Sequence, residues 1–502
     1  MWCLQNRKRR VTQIVLLCAL FVIVPAVVHA ASPPFEAGLG VRDITPEVGY
    51  PCYRGESTGV TYSLYAKALV LRQGDESAAL ILCDIIGAPR ALSARIRKQV
   101  STETGIPFEH VSVAATHTHT GPDYFEELRQ YADAEAAGEL TEELEQGYVA
   151  RLIEQAAGAA LDAHNALAPV HVDTLSAEED GVSFNRRFLL TDGRVRMNPG
   201  RNNPDAVRPT GPIDPEVLTV LFRGADGQPL GGLANFANHL DTVGGTEFHP
   251  DYPHYLAQSL REEFGEAFIS IFGTGPCGNL NHVDVKGGER LTTRDIGETL
   301  GAAIRANLDN RSEQDATLGA MSRTVFWPMQ DFTEDELAWA RNYQAGGLYA
   351  ERAFLQRRRA LKILSLNAAR KNKGIEPGPT GASRAFHDIH QPAIPPGASG
   401  EPWILPVEVH AFRISADTAI VTMPGELFVE LGLDLKERSP FRHTLVIELA
   451  NAHIAYVPTE EGFRHGDYEA VNSRLAPGGG EAMVDAAVEM LNALHKQVTA
   501  AR

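Results

Sequence analysis

Two histidines interrupt an apolar run in residues 112–127, which read SVAATHTHTGPDYFEE. His117 and His119 are two residues apart, so on a continuing strand both imidazoles would point to one face and Thr118 to the other. Paired imidazoles at a strand end can hold a metal ion, or supply one ligand and one acid–base group. Surface or hydrogen-bonded histidines explain the same short motif, so it does not decide alone.

Three further polar residues lie on or just after predicted strands. His239 in NFANHLD comes just past an apolar run, Glu426 in VTMPGELF follows a strand and a turn, and Tyr456 lies on a short predicted strand. We expect a helix to begin at Glu426, where the helix dipole favours carboxylate over carboxylic acid. A plain helix-terminal glutamate fits equally well. Three or four N and O ligands with one open position are typical of hydrolytic zinc, although tyrosine is an uncommon ligand.

Two strings resemble catalytic motifs but lack their context. GESTG (55–59) matches G-x-S-x-G, yet it precedes a strand rather than joining a strand to a helix. GTGPCG (273–278) matches the dinucleotide string G-x-G-x-x-G, but Pro276 and the following NLNH disfavour a helix there. We interpret the second string as a glycine loop that lets backbone approach another group closely.

Strand-like and helix-like runs alternate along the chain. The predicted strands are 63–72, 78–86, 110–116, 170–174, 217–222, 231–237 and 268–272, and the predicted helices are 91–103, 141–166, 255–264, 294–307 and 481–496. This rhythm predicts an α/β fold with mixed β-sheets flanked by helices. The sheet pattern resumes at Pro406, so we expect one large catalytic domain interrupted by a helical excursion over 334–400.

The excursion consists of a long basic helical stretch, 334–370, and a Gly- and Pro-rich loop, 371–400. Its basic residues include Arg357, Arg358, Arg359 and Lys362. The favoured interpretation is a solvated excursion packed on the sheet domain. A basic surface facing a membrane is the alternative.

The N-terminus predicts a signal peptide over residues 1–30, with a basic segment at 7–10, an apolar segment at 11–28 and a VHA cleavage site. An uncleaved membrane anchor is the alternative, since about 18 apolar residues just span a bilayer. Pro25 and the cleavage site favour removal. We therefore expect a secreted or periplasmic chain of residues 31–502.

The net charge of −18 becomes more negative once the basic signal is removed. An acidic surface repels phosphate backbones, so nucleic acid is not an expected partner. The predicted mature chain keeps three cysteines, Cys52, Cys83 and Cys277, which allow at most one disulfide. This number excludes a disulfide-stapled scaffold.

Several motifs together resemble the catalytic N-terminal domain of the neutral/alkaline non-lysosomal ceramidase family, as a divergent bacterial-type member. They occur in the family's order and span nearly the whole predicted mature chain. The markers are GVRDITPEVGY (40–50), ATHTHTGP (115–122), NRR (185–187), NFANH (235–239), DYP (251–253), GNLN (278–281), PGE (424–426) and YVPTEEGF (456–463).

The resemblance implies hydrolysis of an N-acyl amide, with ceramide giving a fatty acid and a sphingoid base. It implies one zinc ion per chain that polarises the carbonyl or activates water. The implied ligands are His117, His239, Glu426 and Tyr456. The partner is then a lipid-like N-acyl substrate with possible peripheral membrane contact, and no obligate protein partner is inferred.

The resemblance also implies that His119 and Arg186 face the scissile amide, His119 as proton shuttle to the leaving amine and Arg186 against developing negative charge. Asn281 stands where the family has a catalytic serine. It is not a nucleophile, but it can hydrogen-bond an oxyanion or position a water molecule. His282 and Asn279 depart from the family pattern beside it.

The family's C-terminal β-rich domain is expected to be absent. Two alternatives to ceramide hydrolysis remain open. One is a zinc hydrolase of another acyl ester or amide on the same scaffold, and the other is a catalytically inactive extracellular binding protein.

Overall fold

A computed structural model describes residues 33–288, 290–345, 354–371 and 402–501. Residues 34–502 form one compact unit. The predicted signal peptide and nearly all of the predicted loop at 371–400 lie outside the described residues.

The described residues contain twelve α-helices and two short 3-10 helices, Phe108–His110 and Leu308–Asn310. The α-helices are α1 (Arg90–Thr104), α2 (Phe125–Ala137), α3 (Glu142–Glu145), α4 (Tyr148–Asn165), α5 (Pro253–Phe264), α6 (Thr293–Ala306), α7 (Glu334–Ala345), α8 (Phe354–Lys371), α9 (Val429–Arg438), α10 (Glu460–His465), α11 (Asp467–Asn472) and α12 (Gly479–Ala501).

The strands are numbered in chain order. They are β1 (Glu36–Asp43), β2 (Pro51–Cys52), β3 (Gly55–Glu56), β4 (Gly59–Val60), β5 (Tyr65–Gln73), β6 (Glu76–Cys83), β7 (Val111–Ala115), β8 (Ala168–Pro169), β9 (His171–Glu178), β10 (Phe184–Asn185), β11 (Arg187–Leu190), β12 (Val195–Met197), β13 (Ala206–Pro209), β14 (Glu216–Arg223), β15 (Pro229–Phe236), β16 (Glu247–Phe248), β17 (Ile269–Thr274), β18 (Leu280–Asn281), β19 (Ser312–Gln314), β20 (Ala316–Pro328), β21 (Ile404–Ser415), β22 (Thr418–Thr422), β23 (Glu426–Leu427), β24 (His443–Ile447) and β25 (Tyr456–Val457).

Three larger sheets organise these strands. Their orders are β7-β6-β5-β1-β8, β17-β15-β14-β9-β19 and β20-β21-β22-β24. Each is antiparallel apart from one parallel pair, which is β6–β7, β15–β17 or β22–β24 respectively. The predicted fold class, a single large α/β domain with mixed sheets and flanking helices, is confirmed.

The three sheets pack around one central apolar cluster, to which Leu69, Leu233 and Phe412 each contribute from a different sheet. Along β5, Leu69 enters this cluster while Ala68 and Val70 belong to the cluster that includes residues of α1 and α4. The period of two along a strand therefore buries both faces of the sheet, one against sheets and one against helices.

Most predicted elements form, with differences that have local causes. The helix predicted over 141–166 divides into α3 and α4, because Gly147 between them has an extended backbone and caps the start of α4. We did not predict α2, whose sequence is mostly polar, or β20, a partly exposed strand of 13 residues.

The excursion forms α7 and α8, which pack on each other through Leu337, Ala340 and Leu361. Leu366 of α8 also joins the cluster under the third sheet. The packing on the sheet domain agrees with the favoured interpretation, but one face of α8 is buried rather than solvated. None of the described helices is long and apolar enough to cross a bilayer.

Close contact between β1 and α4 depends on glycine. A Cβ atom on Gly40 would lie 2.1 Å from the carbonyl oxygen of Ala159, which a backbone atom cannot accommodate without movement of α4. We predict that Gly40→Ala lowers the free energy of unfolding by about 1–3 kcal/mol in urea titrations. Gly244→Ala is the matched control, because its Cβ would meet no atom within 4 Å. Equal stability of the two variants would contradict this account.

Candidate metal centre

The centre lies where strands of all three larger sheets end. His117 follows β7, His239 follows β15 and Glu426 follows β22, each within four residues of the last strand residue. Because the three sheets pack around one core, these carboxyl-terminal ends meet at one point.

The ligand atoms converge closely. Nε2 of His117 lies 3.2 Å from Nε2 of His239, and each lies 3.5 Å from Oε2 of Glu426. All three side chains are at least 97% buried. Oε2 of Glu426 has no hydrogen-bond partner among the described residues. A buried carboxylate oxygen without a donor requires another source of positive charge.

Backbone carbonyls fix the orientation of both imidazoles. Nδ1 of His117 lies 2.6 Å from the oxygen of Ile86, and Nδ1 of His239 lies 2.9 Å from that of Cys277. A carbonyl oxygen only accepts, so Nδ1 carries the proton, and in the neutral ring Nε2 then presents a lone pair. Two lone pairs and a carboxylate oxygen facing one another suit a divalent cation, and N and O donors of this kind fit zinc.

Tyr456 is the strand partner of Glu426. β23 pairs with β25 in parallel, with Glu426 opposite Tyr456. Burial raises the pKa of the Tyr456 phenol well above its ordinary value, and Glu426 adds to the shift. The phenol therefore keeps its proton unless a cation lies beside it.

Two expectations about local structure are wrong. β7 ends at Ala115, so His117 and His119 lie in a loop, and strand alternation does not bring them together. Instead their amides donate to the carbonyls of Ile85 and Leu240, and His117 adopts a left-handed φ of 74°. Glu426 does not begin a helix, because it lies in β23 and α9 starts at Val429.

His119 approaches the same point but is held less firmly. Its Nε2 lies 3.4 Å from Nε2 of His117, and His117, His119 and His239 form a group with metal-ligand spacing. Its ring packs edge-on against Tyr53 with centroids 5.3 Å apart. Among the described residues, no hydrogen bond fixes its Nδ1. Burial and neighbouring His117 hold the pKa of His119 well below its usual range, so the ring is neutral.

Arg186 stands behind the centre rather than in its cavity. Its Nε donates to Glu469 over 3.0 Å, its Nη2 donates to the oxygen of Gly278 over 2.7 Å, and its Nη1 lies 3.4 Å from Nε2 of His239. Its guanidinium carbon lies 5.5 Å from the centre of the Tyr456 ring. Arg186 therefore holds a positive charge in a fixed position beside the candidate ligands His239 and Tyr456.

Asn281 is not brought into the cavity. Its Nδ2 donates to Oδ1 of Asn198 over 2.9 Å, and its Oδ1 accepts from the amide of Val283 over 3.0 Å. These bonds fix the side chain. Nδ2 can still donate one more hydrogen bond, and Oδ1 can still accept one more.

Two residues missed as site candidates pair with each other beside Asn281. Nδ1 of His282 lies 3.1 Å from Oδ1 of Asp241. Burial raises the pKa of the Asp241 carboxyl, but the His282 hydrogen bond and the nearby histidines outweigh it and lower the pKa overall. In the sequence, only their positions close to the candidate residues Asn281 and His239 could have marked them as part of the site.

The cavity at the centre measures about 40 Å³. It is bounded by His117, His119, Glu426 and Tyr456, and also by residues of α8 and α11 that sequence reasoning did not place there. These are Arg358, Leu361, Lys362, Tyr468 and Asn472. Tyr468 also lines a neighbouring groove of about 950 Å³, so the two spaces adjoin.

Glu469, which sequence reasoning also missed, is fully buried and neutralises two arginines. It accepts from Nε of Arg186 and from Nη1 of Arg187. We predict that Glu469→Ala costs about 3–5 kcal/mol of unfolding free energy, because two buried guanidiniums lose their counter-ion. Denaturant unfolding measures it, with exposed Glu461→Ala as control. Unchanged stability of Glu469→Ala would show that water replaces the carboxylate there.

No model of a known protein family matches the chain. The chain is 24% identical to the neutral ceramidase of Pseudomonas aeruginosa over an alignment 545 positions long. The alignment covers 97% of this chain and 76% of that protein.

Two solved structures share the fold. The crystal structure of neutral ceramidase from Pseudomonas aeruginosa matches with a TM-score of 0.63 at 20% identity, over 93% of this chain and 75% of that one. A structure described as ceramidase complexed with C2 matches with a TM-score of 0.64, also at 20% identity, over 93% of this chain and 76% of that one.

Proposed function

Because the chain is a divergent member of the neutral ceramidase family, we propose that it is a zinc-dependent amidohydrolase acting on ceramide or a related N-acyl lipid. The products are a fatty acid and an amine. The observation that carries the proposal is the buried convergence of His117, His239 and the unpartnered Glu426 oxygen. Two facing imidazole nitrogens and a buried carboxylate oxygen are a donor set that can hold a divalent cation.

We assign one zinc ion per chain to His117, His239, Glu426 and Tyr456. Bound zinc would polarise a carbonyl oxygen and lower the pKa of water towards 7. The carbonyl partners of the two imidazoles hold their lone pairs towards the ion site. Arg186 holds positive charge against Tyr456 and favours its ionised form.

His119 is proposed as the proton-transfer group. Its ring is neutral, borders the cavity and has an Nδ1 that no described residue engages. It can accept a proton from the attacking water and deliver it to the leaving amine nitrogen. Arg186 is proposed to stabilise negative charge on the substrate oxygen through its field.

Asn281 is proposed to donate its remaining amide N–H towards that charge, held in place by Asn198 and Val283. Its place outside the cavity lining makes this contribution smaller than that of His119. Residues 31–502 are proposed as the catalytic domain, exported by the signal peptide at 1–30 to the periplasm or the medium.

Glu426→Gln tests the metal assignment, because it removes the anionic ligand and keeps the side-chain shape. We predict about one zinc per chain in the wild type, and in the variant a loss of zinc with at least about 100-fold lower fatty-acid release from ceramide. Elemental analysis and a panel of N-acyl amides and esters measure these outcomes. Glu437→Gln, exposed on α9, is the control. Full activity of zinc-free protein would refute the proposal.

His119→Gln separates proton transfer from metal binding. We predict a fall in kcat of about 10²- to 10⁴-fold with zinc content unchanged, because glutamine cannot shuttle a proton. Steady-state kinetics and elemental analysis on the same preparation measure kcat and zinc content. Loss of zinc in this variant would instead make His119 a third imidazole ligand.

A further inference from the structure

The cavity at the centre carries more positive charge than a neutral lipid requires. Arg358 and Lys362 of α8 and Arg474 line it, whereas Glu426 is the single carboxylate among its described lining residues. Glu426 is already assigned to the metal. A sphingoid base offers hydroxyl groups, which give no reason for this excess of cations.

The guanidinium of Arg358 is held by aromatic rings. Its carbon lies 5.4 Å from the centre of the Phe354 ring and 5.6 Å from that of Tyr468, and its side chain is hydrogen-bonded to Tyr53. Its Nε has no hydrogen-bond partner among the described residues, and no described carboxylate lies within 4 Å. Aromatic faces orient such a cation without neutralising it, so its donors stay available.

Lys362 lies one helical turn further along the same face of α8. Its Nζ donates to Oε1 of Gln330 over 2.8 Å, and no described carboxylate lies within 4 Å of it. Burial lowers the pKa of Lys362 to about 8, with Arg359 adding to the shift. The ammonium is therefore still mainly charged at neutral pH and retains further donors.

The ring of Tyr468 lies close both to Arg358 and to residues of the metal centre. The Tyr468 ring lies 5.3 Å from the Tyr456 ring, and its centre lies 6.0 Å from the guanidinium carbon of Arg186 and 5.6 Å from that of Arg358. A substrate whose amide reaches Tyr456 and Glu426 therefore has its adjoining atoms beside Arg358.

We propose that Arg358 and Lys362 form a subsite for an anionic group, carboxylate or phosphate, that the substrate carries close to its scissile amide. The inference rests on the proposed function and narrows its substrate to acidic N-acyl amides. In the reaction, water gives its oxygen to the acyl carbon, the C–N bond breaks, and the nitrogen takes a proton. The products are a fatty acid and an amine bearing the anionic group.

Matched substrates that differ in one charged group test the subsite. N-dodecanoylglycine and N-dodecanoylglycinamide form the carboxylate pair, and N-dodecanoyl-phosphoethanolamine and N-dodecanoylethanolamine form the phosphate pair. We expect the acidic member of at least one pair to be favoured in kcat/KM by at least about 10-fold, since charge-assisted hydrogen bonds are the strong ones. The pair with the larger preference identifies the anion.

Arg358→Met and Lys362→Met keep the length of the side chains and remove their charge. We expect each variant to reduce the preference for the acidic substrate about 10-fold, and the double variant about 100-fold. Arg438→Met is the control, since this residue of α9 is exposed and is paired with Asp434 and Asp485. It should leave the preference unchanged. Equal cleavage of acidic and neutral amides by the wild type would overturn the proposal.

Calorimetric binding of dodecyl phosphate, compared with uncharged dodecyl maltoside, separates the subsite from the reaction. Binding of dodecyl phosphate that weakens at least about 10-fold in Arg358→Met, with no amide cleaved, would support the subsite and refute the proposed function. Amide cleavage with no preference for either acidic substrate and no selective binding of dodecyl phosphate would refute the subsite and leave the function standing.

Discussion

The structure depends on one electrostatic constraint. Two imidazole lone pairs and a carboxylate oxygen face one another within 3.5 Å, buried from water. With both rings neutral, these groups form a donor set that is suited to holding a divalent cation between them. Each group follows a strand of a different sheet, so the packing of the three sheets is also what assembles the centre.

A second layer of contacts makes the convergence rigid. Carbonyls of Ile86 and Cys277 fix the imidazoles, and the backbone pairing of β23 with β25 sets Glu426 beside Tyr456. Glu469 fixes Arg186 behind them. Nearly all of these partners are backbone groups, whose positions follow from the fold rather than from side-chain identity.

The fold class was predictable because the spacing of apolar residues along the sequence shows which side chains are buried, as along β5. The candidate ligands were predictable as strand-end residues together with a family pattern. Their geometry was not, since His117 reaches the site through a left-handed loop residue and not through strand alternation. Glu469 and the residues of α8 were missed because nothing local marks them. They meet the centre only through contacts between residues that are far apart in the sequence.

His282, which departs from the family pattern, does not stand alone. It pairs with Asp241, whose partly buried carboxylate thereby gains a partner. Arg358 and Lys362 of α8 have no carboxylate partner among the described residues, although burying them costs free energy in the same way. Both line the same cavity as Glu426, where the proposed anionic group of a substrate would supply a compensating charge.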